Sequence, residues 1–423
     1  MKRSSIIILT LVSLLLGATA FAQTEDKPEQ PQQPTPAPRA TVGDKFEISI
    51  WYSLPSDEAR VLESMITEYQ GSHPYVKLTS KNFPDADRLY RALTSGKELP
   101  TVAVMESSWL SHVASGGKLM SVEDWMPRDK FLFSWSVKHD VYRPLFDASS
   151  VGDQLMARPF FFTTKALIYN TEIFKAAGVA APPTTWEEMT KVSAKIAKPE
   201  ASLWAFRLAP SGSPRDLAKN LQIFTWQAGS DLATANGKGS GAGIEKALEF
   251  LTSLGKGNSD PDSMFVPDQI AMFPGTVADY LRLRANGVAV KTASLPGPDS
   301  KNRTTELQVW SLGMFQTDAE QLYKVQEFAF WLLDFPQQRA WAEQTPYLAA
   351  HVKVFDNPFY RRERLAEHSG LRVFVNVLGR SKPVDTAGRA NSTLDSIGKE
   401  LPSFLRGEKS VGDLVSSTVS VLH

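Results

Sequence analysis

Glu106 stands directly after the apolar run Thr101-Val102-Ala103-Val104-Met105, where a charge is costly to bury unless a partner meets it. A carboxylate so placed has two uses. It can accept hydrogen bonds from hydroxyl groups, each charge-assisted and worth about 1.5–3 kcal/mol, or it can close a salt bridge within the protein. Tyr52 ends the alternating run Phe46, Ile48, Ile50, Tyr52 and offers a ring to stack and a hydroxyl to hydrogen-bond, or else a plain strand end at the surface. Trp226 is followed by Gln227-Ala228-Gly229 and so stands beside a loop. Recognition of a sugar-like solute needs such aromatic faces over its C–H patches, together with carboxylates, amides or guanidinium groups directed at its hydroxyls. The chain holds ten Trp and ten Tyr, and most must be core: Trp125, Trp186, Trp331 and Trp341 lie in helical contexts and read as packing.

Bond-breaking chemistry finds less support. The six histidines are scattered without the H-E-x-x-H spacing of a metallohydrolase. No motif fixes a pair of carboxylates at the separation of about 5 Å or about 6.5–9.5 Å that glycoside hydrolysis uses. The Gly-Ser-Gly stretch at Ser240 lacks the strand-to-helix elbow of a serine nucleophile. A secreted carbohydrate-active enzyme is the alternative from another class, but no catalytic residue, metal or cofactor is expected.

Lys2 and Arg3 precede an apolar run over residues 6–16, and Ala20-Phe21-Ala22 offers small residues for cleavage before Gln23. This is the pattern of a secretory signal peptide, residues 1–22. No stretch approaches the roughly 20 apolar residues of a membrane span. The absence of cysteine leaves no acceptor for a lipid anchor and no disulfide, which suits a bacterial periplasm. Lys+Arg and Asp+Glu both number 46, so removal of Lys2 and Arg3 leaves two more acids than bases. That balance, without basic runs, argues against nucleic acid as partner. Residues 23–43, rich in Pro, Gln, Glu and Thr, cannot bury enough surface to order themselves and read as a disordered tether.

About 380 residues remain, enough for two domains of usual size. The strand from Phe46 leads to Leu62, Met65, Ile66 and Tyr69 at helical spacing, then His73-Pro74 as a break. A strand at 76–78, a helix at 86–95 stopped by Gly96, and a strand at 101–105 follow. This β-α-β-α-β order predicts a parallel sheet covered by helices, with ligands outside the carboxyl ends of its strands. Further on, Ala166-Leu167-Ile168-Tyr169 is continuously apolar, as in a strand covered on both faces. Asn170 ends it, Ile173, Phe174, Ala176 and Ala177 fit a short helix stopped by Gly178, and Thr185 stands three residues before Glu188 as in a capping box.

The order and spacing of these pieces between Gly152 and Met189 resemble the central region of the family 1 extracellular solute-binding proteins, which capture ligands for ABC importers. The resemblance extends to Trp51-Tyr52-Ser53, the segment from Gly96 to Pro100, Phe224-Thr225-Trp226, Ile270-Ala271-Met272, the helical segments around Phe328, Leu333, Pro336 and Trp341, Pro346-Tyr347-Leu348, and the turn at Gly407 to Val411. It is strongest toward the sugar and glycerol 3-phosphate-binding subgroup. It implies an α/β, two-lobed periplasmic-binding-protein fold with a hinge and a ligand cleft, with lobe one at 44–158 and 308–345 and lobe two at 159–307 and 346–423. It further implies a monomer that closes on a small solute, by this subgroup a sugar, oligosaccharide or sugar-phosphate-like compound, and presents it to membrane permease subunits; a signalling receptor is the alternative recipient.

Residue by residue, the resemblance assigns Glu106 to ligand hydroxyls, the ring of Trp226 to the cleft, and Phe83 to a place where an aromatic is common. It brings Gly275 close to ligand through its backbone, although a turn after Pro274 explains that glycine equally. Tyr347 and Arg389 would approach from lobe two, and the rigid guanidinium fork suits phosphate or hydroxyls. The chain departs from the family at three places: Ala209-Pro210-Ser211-Gly212-Ser213-Pro214-Arg215 replaces a tryptophan-rich loop, Thr305-Glu306-Leu307-Gln308-Val309-Trp310-Ser311 replaces a glycine-rich crossing strand, and Ala349 stands where proline is usual.

Overall fold

The alternation that starts the folded part is a strand, β1 (Phe46–Tyr52), which buries Ile48, Ile50 and Tyr52 on one face as the two-residue period of a pleated strand requires. The computed structural model describes residues 46–125, 139–232, 241–255, 258–260, 262 and 264–422; all belong to one compact unit, Val42–His423. The signal peptide and tether expected over residues 1–43 lie outside the described residues.

Helix Ser56–Ser72 buries the expected Leu62, Met65, Ile66 and Tyr69 and ends at His73. Then come β2 (Val76–Asn82), helix Ala86–Ser95 and β3 (Val102–Glu106). Asp85 caps the second helix by accepting from the Arg88 N–H at 2.7 Å, and Gly96 stops it at φ 63°, where a side chain would be strained. Strands β2, β1 and β3 are parallel neighbours, the arrangement that the β-α-β-α-β order predicts.

The chain continues through a small hairpin, β4 (Ser150–Val151) and β5 (Gln154–Leu155), into β6 (Arg158–Thr164), β7 (Ala166–Asn170), β8 (Trp204–Phe206), β9 (Ile270–Gly275), β10 (Val290–Ala293), β11 (Thr305–Met314), β12 (Leu348–Ala349) and β13 (Ser381–Pro383). Two main sheets result. The larger has the order β12-β6-β11-β3-β1-β2, with β13 beside β11, and the smaller has the order β10-β7-β9-β8. In the smaller sheet β7 runs antiparallel to β9 and β10 while β8 is parallel to β9. Helices Pro214–Gln227 and Gly388–Leu405 pack together in the core on the smaller sheet.

Membership of the two sheets changes at Lys165, the single residue between β6 and β7, and again between β10 and β11. All seven residues of β6 are buried, because β12 and β11 flank it and helices cover it. Local signals around β7 hold. Asn170 accepts from the N–H groups of Glu172 and Ile173 at 3.0 and 3.2 Å and so starts the next helix as it ends the strand. At Thr185 only half of the expected reciprocal cap forms: its hydroxyl oxygen accepts from the Glu188 N–H at 3.2 Å, whereas the Glu188 carboxylate takes the N–H and hydroxyl of Thr184 at 2.7 and 2.8 Å.

Candidate functional site

The two sheets meet where β3 ends, β11 begins and the first turns of helix Pro214–Gln227 approach both. Lys165, at the change of sheet, is pinned there: its N–H donates to Glu306 O at 3.2 Å, and its own carbonyl accepts from Thr305 Oγ1 at 2.8 Å. Its ammonium lies 2.9 Å from Glu306 Oε2 and donates to Asn220 Oδ1 at 2.7 Å. The Lys219 ammonium approaches the other carboxylate oxygen, Oε1, at 3.4 Å. Lys165 and Lys219 are each 7% exposed and Glu306 3%, so all three charges have left bulk water. Asn220 is oriented in turn by donating from Nδ2 to Leu208 O at 2.7 Å.

The electrostatics are mutually supporting. Burial alone would raise the Glu306 pKa, but Lys165 and Lys219 outweigh it and hold the carboxyl below the usual range. Burial would lower the Lys219 pKa, and Glu306, Glu106 and Asp216 reverse that and hold it above its ordinary value. Asp216, on the first turn of the same helix, is pushed up by burial and brought below its ordinary value by Lys165, Ser211, Lys219 and Ser213. Opposite charges favour the ionised form of each neighbour, so Glu306, Lys219 and Asp216 are each held toward their charged forms.

Glu106, Lys219, Glu306 and Gln308 line one cavity with Thr386 and Pro383. Thr386 Oγ1 donates to Glu106 Oε2 at 2.8 Å. Because that hydroxyl has one proton, it accepts from Ser108 Oγ at 2.8 Å and from Trp109 Nε1 at 3.2 Å. Across the β3–β11 ladder Glu106 is paired with Trp310. The Trp310 ring stacks on Phe161 at 5.0 Å and meets Tyr347 edge-on at 5.0 Å. Burial first, then the carboxylates of Glu58 and Glu106, raise the pKa of the Tyr347 hydroxyl. Half-buried Trp310 and Tyr347 therefore stand beside a carboxylate, the combination that binds hydroxyl-bearing rings. The space left within the cavity is about 10 Å³, room for about one water, so a larger solute requires the walls to part.

The other residues named from sequence are placed as follows. Tyr52 is 1% exposed, donates its hydroxyl to Glu63 and is absorbed by the core of the larger sheet, away from this cavity. Phe83 packs beside Trp51 at 5.2 Å with the Lys81 ammonium 4.6 Å from its ring centre, in a cluster that includes Trp109 and Ala387. Trp226 is half-buried and donates from Nε1 to Asp231 Oδ2 at 2.9 Å. Burial raises the Asp385 pKa and the Asp231 charge adds to it, against the Ala387 N–H and His112. Gly275 pairs with Ala166, and a Cβ there would lie 2.5 Å from Ile168 Cδ1, so strand packing accounts for the glycine. Arg389 is exposed on the first turn of helix Gly388–Leu405. The structure thus brings Glu106 and Tyr347 together and leaves Tyr52, Phe83 and Gly275 in packing roles. Lys165, Lys219 and Thr386 carry no local signal of a site role except that a lysine stands inside the run from Phe160 to Tyr169, whereas Glu306 and Trp310 fall in the departing segment from Thr305 to Ser311 without a role assigned to either.

A second polar bridge joins a helix on the larger sheet to two helices on the smaller one. The Arg215 fork donates from Nε and Nη2 to Asp395 at 2.9 and 2.8 Å and from Nη1 and Nη2 to Asp87 at 3.3 and 3.4 Å. Asn391 Nδ2 also donates to Asp87, at 3.1 Å. Asp87 belongs to helix Ala86–Ser95, on the side of the larger sheet, whereas Arg215 and Asp395 belong to the helices on the smaller one. A partly exposed pair of this kind is worth about 0.2–1 kcal/mol. Asp87→Ala is expected to shift the closed form toward an open one by a few-fold, seen as a larger radius of gyration in small-angle X-ray scattering without solute. An unchanged scattering curve would mean that the bridge holds nothing.

Among the described residues no group of three or more His, Asp or Glu could hold a metal ion, and no helix is long and apolar enough to cross a membrane. Residues 64–367 match the model of the bacterial extracellular solute-binding proteins. The chain is 24% identical to a maltotriose-binding protein of Pyrococcus abyssi over 36% of this chain and 31% of that protein, so the match spans about a third of that relative's length. The fold is similar to the cyclic alpha-maltosyl-1,6-maltose binding protein from Arthrobacter globiformis, with a TM-score of 0.75 at 21% identity over 89% of this chain and 98% of that one. It is also similar to UgpB from Mycobacterium tuberculosis in complex with glycerophosphocholine, with a TM-score of 0.73 at 19% identity over 89% and 97%.

Proposed function

The chain belongs to the bacterial extracellular solute-binding protein family, and from that premise we propose that it is the periplasmic solute-binding component of an ABC importer, capturing a sugar, oligosaccharide or similar hydroxyl-rich solute between its lobes. The observation that carries this reading is the placement of Glu106 beside Trp310 and Tyr347 where the sheets meet. A carboxylate accepts hydroxyl hydrogen bonds while the rings cover a C–H face. The names of the similar proteins, two of which bind maltose-type oligosaccharides, agree with that chemistry.

In this reading the lobes follow the divisions at 158/159, 307/308 and 345/346, and the chain passes between the sheets at Lys165 and just before Thr305. The hinge is the pair of connections that pass between sheets. Solute that touches both lobes favours the closed form by its differential affinity for it, and the closed surface is what the permease subunits recognise. The chain binds and delivers as a monomer, and no catalytic step, metal or organic cofactor belongs to this role.

Thermal-shift measurements on the chain without residues 1–22, against mono- and oligosaccharides and polyols, test the proposal. A cognate solute at about 100 times its dissociation constant is expected to add about 2.7 kcal/mol of stability. No shift with any carbohydrate would remove that class.

A further inference from the structure

We propose that Glu306 is a specificity-determining residue: held between Lys165 and Lys219, its carboxylate fills the position that an anionic group of a solute would take, so the cleft admits uncharged hydroxyl-rich solutes and turns away phosphate- or carboxylate-bearing ones. The inference rests on the reading of this cleft as the solute site and adds to it the sign of the charge that the site accepts.

Two buried ammonium groups beside a cleft are in themselves an anion site, since a lysine is a compact point charge suited to phosphate or carboxylate. Here both are committed. Lys165 reaches one oxygen of Glu306 at 2.9 Å and Lys219 the other at 3.4 Å, and Lys165 spends a further donor on Asn220 at 2.7 Å. The other charges that act on Lys219 are also carboxylates, Glu106 and Asp216. Glu106 and Glu306 both line the cavity. An entering anion would therefore meet two carboxylates without a free ammonium, and burial weakens the screening that water would supply. A neutral solute meets the same groups as hydrogen-bond acceptors.

Glu306→Gln keeps the shape and removes the charge, leaving two ammoniums without their counter-ion. With inorganic phosphate as the probe, its melting temperature is expected to rise with the logarithm of phosphate concentration. The wild type and Glu306→Gln/Lys219→Gln should show only the smaller common shift that phosphate gives by exclusion from protein surfaces. A wild type that responds as strongly as Glu306→Gln, or a Glu306→Gln response equal to that of the double variant, overturns the proposal. Calorimetric titration of the wild type keeps the test open should Glu306→Gln fail to fold, comparing neutral oligosaccharides with the same compounds carrying phosphate. Neutral solutes binding at least tenfold more tightly support the proposal, and the opposite order overturns it while leaving the solute-binding reading intact. Binding of neither class overturns both.

Discussion

Glu306→Ala is expected to lower the stability of the folded chain by about 3–5 kcal/mol, the cost of removing one partner from a buried ion pair and leaving the other charge uncompensated. Here two ammoniums lose the partner, Lys165 at 2.9 Å and Lys219 at 3.4 Å, and neither reaches bulk water, being 7% exposed. Urea unfolding followed by tryptophan fluorescence checks the value, and a loss under 1 kcal/mol would show that water or a rearranged acid replaces the carboxylate. The same cluster sets a pH dependence. Glu306 and Asp216 have folded-state pKa values below their ordinary ones. Their contribution is therefore complete above the unfolded carboxylate range and lost as pH falls through the lowered folded values. The wild type should lose stability on the acid side of about pH 4.5, and Glu306→Ala should lose less over the same interval, because one of the two protons taken up is no longer at issue.

This cluster also marks where the sequence could be read and where it could not. The two-residue alternation of β1 and the helical spacing of Leu62, Met65, Ile66 and Tyr69 are local patterns, and they place the first half of the larger sheet correctly. The pairing of β11 with β3, β6 and β13 joins segments far apart in the chain, and no local period reports it. Trp310 is therefore legible only as part of the departing segment from Thr305 to Ser311, and its role is not, since only that pairing sets it opposite Glu106. Tyr52 shows the converse. Its position at a strand end is legible, but which face it takes depends on helix Ser56–Ser72, whose Glu63 accepts its hydroxyl. Gly275 invited a ligand role by resemblance, and the side chain of Ile168 on the adjacent strand explains it by packing. Lys165 was the one signal within reach: a charge inside a ten-residue run otherwise without charge, from Phe160 to Tyr169, is too costly to bury alone, so it announces a partner elsewhere in the chain.

Glu106→Gln should separate the solute site from its surroundings. The amide oxygen still accepts from Thr386 Oγ1, now at 2.8 Å, so the wall of the cavity keeps its geometry. What goes is the charge that strengthens hydrogen bonds from solute hydroxyls, the difference between about 1.5–3 kcal/mol for a charged acceptor and about 0.5–1.5 kcal/mol for a neutral one, or about 1–1.5 kcal/mol and roughly a 5- to 13-fold weaker dissociation constant. Most of that loss should appear as faster release, because contacts formed after encounter act on the off-rate. Tyr52→Phe is the matched contrast. Its hydroxyl is spent on Glu63 within the core, so its removal should cost about 1 kcal/mol of folding stability and leave the dissociation constant unchanged. Affinity measured by calorimetry on both variants decides the assignment: a loss at Tyr52 with none at Glu106 would move the site along the same face of the larger sheet to the end of β1, and a loss at Glu106 alone ties it to the carboxylate that Trp310 and Tyr347 flank.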